Sequence, residues 1–300
     1  MTASPARVAA AAALIAVEEE GIHLEDALAA RLPEDKADRD LGWFLAYGVL
    51  RHRGHVDAAL RGSCSRPLGG LDPAVRAALR VGAFERLYAR TRPHAVVHQA
   101  VEVVRALGAG RAHGLVNAVL RRLPGPDELD LSRADRLDTP AWLVDRWTER
   151  YGEAAVDAWC EANTEPPPLF VVAKDPSAPL PSDGAPVAVA GRTLPGVARI
   201  APSDPTARAG FAEGAFWVQD AASVAVADLV PDDAVRVLEP CAAPGGKSFR
   251  LASRGKQVFA ADRDGRRLEL LRQGAERLGL SVPTRVLDLL ALDRSDVGTF

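Results

Sequence analysis

The sequence predicts an α plus α/β protein in three parts: an all-helical bundle, a small α/β linker region, and the first half of a doubly wound, Rossmann-like parallel sheet. Three observations predict it. Residues 5–123 repeat apolar positions at helical spacing and contain no strand-period segment. Residues 123–140, "LPGPDELDLSRADRLDTP", are crowded with Pro, Gly and Asp and read as a linker. From residue 235, short β-branched runs alternate with amphipathic helices, the pattern of a parallel sheet with right-handed crossovers. The expected boundaries are 1–125, 126–215 and 216–300.

The elements follow in order. The alanine-rich start, "MTASPARVAAAAALIAVEEEG", runs straight into three glutamates. It lacks a leucine-rich stretch, so it reads as a first helix and not as a signal peptide. In "DPAVRAALRVGAFERLYAR", Asp72 suits an N-cap and Pro73 the first helical position, where its missing N–H is harmless. Val75, Leu79, Gly82, Ala83 and Leu87 then mark the inner face. "PHAVVHQAVEVVRALG" repeats the pattern through Val96, Ala100, Val103 and Leu107, and Gly108 closes it. A helix starting at Thr139-Pro140 is expected to run to about Ala162, with Trp142, Trp147 and Trp159 as packing residues rather than base-stacking platforms. "TEPPPLFVVAKDP" breaks it and delivers a short strand. Residues 176–215 hold strand-like fragments such as "APVAVAG". Then come strand "VRVLE", helix "KSFRLASR", strand "QVFAAD", helix "GRRLELLRQGAERLGL" and strand "PTRVLD".

Composition excludes several classes. The chain has 300 residues, 48% hydrophobic and 26% charged, which suits a soluble globular protein. No apolar run approaches a membrane span. Cys64, Cys160 and Cys241 are odd in number, far apart and without CxxC. That argues against a disulfide framework and a structural zinc site, and for a reducing cytoplasm. The net charge of −3 conceals an asymmetry: residues 1–125 carry 17 Lys and Arg against 13 Asp and Glu, so the front is basic and the rest acidic. A basic front is compatible with a polyanionic partner, though solvated helix faces explain it as well. Arg51 and Arg53, and Arg121 with Arg122, form the densest basic pairs. His94 and His98 have metal-ligand spacing on one helix, but no third ligand is evident and no metal is expected.

The stretch "RVLEPCAAPGGKSFRL", residues 236–251, carries the chemistry. Two glycines let the backbone approach a ligand closely, and the following helix offers unsatisfied N–H groups. Asp262 ends the next strand, 21 residues after Cys241, where a carboxylate can accept both hydroxyls of a ribose. Asp288 ends the third strand, where it can receive an adenine amino group. The loop lacks GxxxxGK[ST] and a full GxGxxG, so the phosphate grip of ATP or NAD sites is missing. S-adenosylmethionine offers a ribose and an adenine without phosphate and fits better. The alternative is an ordinary strand–turn–helix with incidental acids.

The residues "CAAPGGK" closely resemble the cofactor motif of the RNA cytosine-C5 methyltransferases of the Sun family, and "FWVQDAAS" (216–223) resembles the element that packs beside it. "YGVLRHRGHVD", "RPLGGLDPAVRAALRVGAFERLY", "PHAVVHQAVEVVR" and "GLVNAVLRRL" resemble the NusB-like domain fused ahead of the bacterial 16S ribosomal RNA enzymes of this family, the RsmB type. The similarity extends over essentially the whole chain. It implies S-adenosylmethionine as cofactor, held by Cys241, Ala242, Ala243, Pro244, Gly245, Gly246, Lys247, Asp262 and Asp288. It also implies 16S ribosomal RNA as partner, touched by Arg51, Arg53, Arg121 and Arg122, in a cytoplasmic enzyme expected to be monomeric.

The sequence departs from the family at four points. Glu239 replaces the usual Asp, Gly274 an Asn, and Val172 and Lys174 an Arg and an Asn in the strand after "PPL". The last two put an RNA contact in doubt. Methylating C5 of cytosine needs a thiolate on C6. In the family it comes from a "TCS" motif, with a second cysteine in "DAPCSG". Neither occurs in these 300 residues, so the nucleophile is expected beyond Phe300 and the chain is expected to be a fragment without activity. Cys241 is a poor candidate for that thiolate, and Cys64 and Cys160 are expected to be small buried residues. The rival expectation is a non-catalytic RNA-binding, assembly or antitermination-like factor with a vestigial nucleoside-binding fold.

Overall fold

Helical periodicity at the front becomes helix throughout. Up to residue 125 the described residues form α1 (Pro5–Glu20), α2 (Leu24–Ala29), α3 (Lys36–Arg51), α4 (Arg53–Ser63), α5 (Pro73–Tyr88), α6 (Pro93–Ala106) and α7 (His113–Arg122), with two single 3₁₀ turns. The computed structural model describes residues 2–89, 91–125, 134–179 and 181–291. Asp72 caps α5 by accepting the Ala74 N–H at 2.8 Å. Gly108 ends α6 in a left-handed conformation, φ 83°, and the Ala109 N–H reaches back to the Val104 carbonyl.

The apolar repeat of α5 marks one face, yet almost the whole helix is buried. It is the hub of the bundle, packed by α1, α3, α4, α6 and α7 around Leu28, Leu45, Leu60 and Leu79. Each such leucine contributes about 1.5–3 kcal/mol through burial. The polar residues of α5 therefore need partners inside the fold. Arg76 donates to Glu18 at 2.9 Å, Arg80 to Glu18 at 2.9 Å and Asp57 at 2.7 Å, and Glu85 accepts from Arg7 at 2.6 Å. Burial raises the Glu18 carboxyl, but Arg80, Arg76 and Arg53 outweigh it and hold its pKa below the ordinary carboxylate value.

The helix expected over 140–162 is two helices. α8 (Ala134–Leu137) precedes α9 (Ala141–Tyr151) and α10 (Glu153–Thr164), and Gly152, at φ 81° and ψ 161°, breaks the last two apart. Pro140, not Thr139, is the N-cap of α9; the Thr139 hydroxyl donates instead to the Cys160 sulfur at 3.4 Å. Trp147 and Trp159 pack edge to face, 4.3 Å between centroids, but Trp142 is 65% exposed and does not pack as expected. These helices belong to the compact unit Met1–Pro166. Asp138 ties them to the front by accepting the His55 backbone N–H at 2.8 Å.

The unit Pro167–Phe300 holds two sheets. β1 (Leu169–Ala173), β2 (Ala185–Val189), β3 (Arg192–Ile200) and β4 (Phe216–Val218) form an antiparallel sheet in the order β2-β3-β1-β4. β2 and β3 fall within residues 176–215, where strand-like fragments are expected. Pro195 and Gly196 are tolerated where the β2 register shifts between Pro186 and Ala188, a bulge that relieves ladder pairing there. After α11 (Ala221–Ala227), β5 (Arg236–Glu239), α12 (Gly246–Ser253), β6 (Gln257–Asp262), α13 (Gly265–Leu278) and β7 (Thr284–Val286) alternate as expected. Their strands pair in parallel in the order β5-β6-β7, the Rossmann-like half-sheet. Val172, Leu194 and Trp217 from the first sheet share one core with Phe249, Leu268 and Leu271. Among the described residues no helix is long and apolar enough to cross a membrane.

Candidate functional site

The carboxyl ends of β5 and β6 converge on residues 239–247. The Ala242 N–H bonds to the Ala261 carbonyl at 2.9 Å, which fixes the loop to the end of β6. The Ala243–Pro244 peptide is cis. Gly245 follows at φ 116°, a conformation that L side chains avoid. A Cβ there would also lie 2.5 Å from the Phe249 ring and 2.9 Å from Leu271. Only glycine fits, so the loop stays thin at the start of α12.

Asp262 is fixed at the mouth of this loop. One carboxylate oxygen accepts the Ala243 N–H at 3.2 Å, the other the Asp264 N–H at 3.0 Å. A carboxylate offers about four acceptor positions, so two remain for a diol. Asp264 in turn caps α13 through the Arg266 and Arg267 N–H groups. Arg267 reaches back to the Ala243 carbonyl at 3.3 Å. Leu287 N–H bonds to the Asp262 carbonyl, and Asp288 stands exposed just beyond, capping Leu290. The expected cofactor residues are thus gathered at one end of the sheet.

Glu239 explains its own departure from the usual Asp. It is buried, accepts the Ser248 hydroxyl, and pairs with the Lys247 ammonium at 3.1 Å. Lys247 is held by Glu239 and does not stand free in the loop. Gly274 is explained as well: a Cβ there would lie 2.7 Å from the Phe249 ring, which occupies the space a side chain on α13 would take. Val172 is fully buried in β1 and has no surface to offer a ligand, while Lys174 is exposed. Cys241 is exposed on the loop, Cys160 is fully buried, and Cys64 is only partly buried against the helical core.

Two residues in the site were not singled out from sequence. Gln219, buried, lies under the loop: a Cβ at Gly246 would meet its side chain at 3.0 Å, and its amide oxygen accepts the Trp217 indole N–H at 2.8 Å. Arg267 is the other. "VQD" carried the signal for Gln219; nothing local signalled Arg267.

The basic pairs separate. Arg53 donates to Glu18 at 2.5 Å, so its charge is neutralised inside the network of α5. Arg51 is half-buried at the end of α3. Arg121 and Arg122 are exposed at the end of α7, where Arg121 donates to Asn117 at 3.1 Å. His94 and His98 lie on α6 beside Arg121; among the described residues no cluster of three or more His, Cys, Asp or Glu could hold a metal.

The fold and the loop define a class: a helical domain followed by a Rossmann-like fold with a glycine loop and an acidic strand end, an arrangement shared with methyltransferases. Residues 4–124 match the NusB family. The ribosomal RNA small subunit methyltransferase B of Xanthomonas campestris is 35% identical over 98% of this chain and 69% of its own length. That of Salmonella arizonae is 31% identical over 93% of this chain and 68% of its length. The chain belongs to the ribosomal RNA small subunit methyltransferase B family. The solved structure of PH0851 shares the fold, with a TM-score of 0.69 at 20% identity over 96% of this chain and 70% of that one.

Proposed function

We propose that this chain binds S-adenosylmethionine and 16S ribosomal RNA in the service of C5 methylation of a cytidine, in the cytoplasm where ribosomes are made. The observation that supports it most is the glycine-only loop beside a carboxylate with two acceptor positions left over, in a chain 35% identical to a ribosomal RNA methyltransferase. The residues present fit the cofactor. Asp262 holds the ribose diol, Asp288 meets the adenine edge, and residues 241–246 give the backbone a close approach. The cofactor supplies an electrophilic methyl group.

Cys241 shapes the loop and takes no part in bond making. Glu239 and Gln219 position the loop from beneath. In the division of labour we propose, residues 1–125 grip RNA, 126–215 extend that grip, and 216–300 hold the cofactor. A target base must leave its stack to expose C5, so single-stranded or splayed RNA is the substrate form.

Isothermal titration with S-adenosylmethionine tests the reading. Asp262→Ala loses charge-assisted bonds of about 1.5–3 kcal/mol each, so affinity falls at least tenfold. Cys241→Ser leaves affinity near wild type. A wild-type chain with no affinity for the cofactor, or an Asp262→Ala chain that binds unchanged, overturns the assignment.

A further inference from the structure

The helical unit carries a groove between α5, α6 and α7 that the cofactor site does not use. We infer that this groove, and not the Arg51–Arg53 corner, is where the helical unit grips single-stranded RNA; the inference rests on the proposal that RNA is the substrate.

Its volume is about 730 Å³, within the ~300–1,000 Å³ of pockets that enclose a small ligand such as a nucleotide. Three guanidinium groups line it, from Arg86, Arg105 and Arg121, against one carboxylate, Glu102. Arg86 has no carboxylate partner among the described residues. Arg121 donates its Nε to the neutral Asn117 amide, which orients the guanidinium without cancelling its charge. Arg105 pairs with Glu102 at 2.6 Å, but one turn apart on the helix surface and half-exposed. Such a pair is worth about 0–1 kcal/mol, so a phosphate competes for it readily. The contrast with the other corner is direct. Arg53, Arg76 and Arg80 share Glu18, Glu19 and Asp57, and their charge is satisfied within the protein.

The His98 imidazole also lines the groove. Beside it, Val97, Val101 and Leu120 make an apolar floor under the arginines. Cations around an apolar and imidazole surface suit a phosphodiester with its base laid flat, the usual mode for unpaired RNA. An acidic peptide would use the arginines and leave the floor and the imidazole unanswered. A duplex cannot insert a base at all.

The test uses the whole chain and a fluorescein-labelled, unstructured single-stranded fragment of 16S RNA, read by anisotropy across salt concentrations. A same-length duplex and a Glu-rich peptide serve as competitors. The triple variant Arg86→Gln, Arg105→Gln, Arg121→Gln removes three phosphate contacts, so the slope of log affinity against log salt falls by about 2. Arg53→Gln changes affinity by less than about threefold, as expected for a charge already paired with Glu18. Crosslinking 4-thiouridine RNA to the wild-type chain marks peptides within residues 86–121, which keeps the inference testable if the triple variant fails to fold. RNA binding that survives the triple substitution with an unchanged slope, crosslinks confined to other segments, or displacement of RNA by the peptide better than by unlabelled RNA overturns it. A wild-type chain that binds no RNA at low salt overturns the substrate reading as well, an outcome distinct from the others.

Discussion

Breaking the buried pair Arg250–Asp228 should unfold the Pro167–Phe300 unit more readily than any surface change. Arg250 on α12 is 3% exposed. It donates through Nε and Nη2 to the two oxygens of Asp228, both at 2.8 Å, and through Nη1 to the Pro195 carbonyl at 3.3 Å. The side chain therefore joins α12, the end of α11 and β3. Asp228→Ala leaves the guanidinium buried with only the Pro195 carbonyl, and removing one partner of such a pair costs about 3–5 kcal/mol. Arg250→Met costs less, because Arg254 still reaches Asp228 at 3.3 Å. The double variant recovers most of the loss, since an apolar pair of similar shape is close to neutral. With a urea slope of about 1–3 kcal/mol/M, the Asp228→Ala midpoint drops by at least about 1 M. The assay is urea unfolding with hydrogen exchange of α12 amides reporting this unit alone. The pH dependence adds a sign. Burial raises the Asp228 carboxyl, but the bonds and charge of Arg250, with Arg254 and Arg192, outweigh it and the pKa is lowered. A depressed folded pKa stabilises above the unfolded value of about 3.9, and that stability is lost as pH falls through the folded pKa. A loss below about 1 kcal/mol in Asp228→Ala, or a double variant no better than the single, refutes the reasoning.

Further outcomes follow from other sites. Gly245→Ala meets both a positive φ and the Phe249 ring, so it lowers stability by about 2 kcal/mol or more and abolishes cofactor binding, measured by calorimetry. Gly274→Asn collides with Phe249 and costs about 1–3 kcal/mol in thermal unfolding; adding Phe249→Leu restores part of it. The Tyr47 hydroxyl is pushed up to about 12 by burial and by its bond to Glu25, so an ultraviolet titration shows one tyrosine ionising late, and Glu25→Gln brings it back toward its ordinary value of about 10. β6 lies between β5 and β7, so its amides exchange more slowly than those of either neighbour.

What was legible in the sequence is what local physics sets. Asp72 and Pro73 start a helix wherever they stand before an apolar repeat. Strand–helix alternation from residue 235 announced a parallel sheet, and Gly245 with Gly246 announced a tight turn after its first strand, because such a turn is a property of a few adjacent residues. The tertiary structure decided the rest. Arg53 and Arg121 look alike in the sequence, yet Arg53 meets Glu18, 35 residues away, while Arg121 faces an open groove. Gly274 reads only as a departure from the usual Asn until Phe249 is found in the space beside it. Val172 reads as a replaced RNA contact until its strand turns it into the core. β3 hides behind a proline and a glycine that lie in a bulge of β3 itself, where its ladder with β2 is interrupted. Charge pairing, side-chain volume and strand pairing depend on residues far apart in the chain, so only folding brings their answers together.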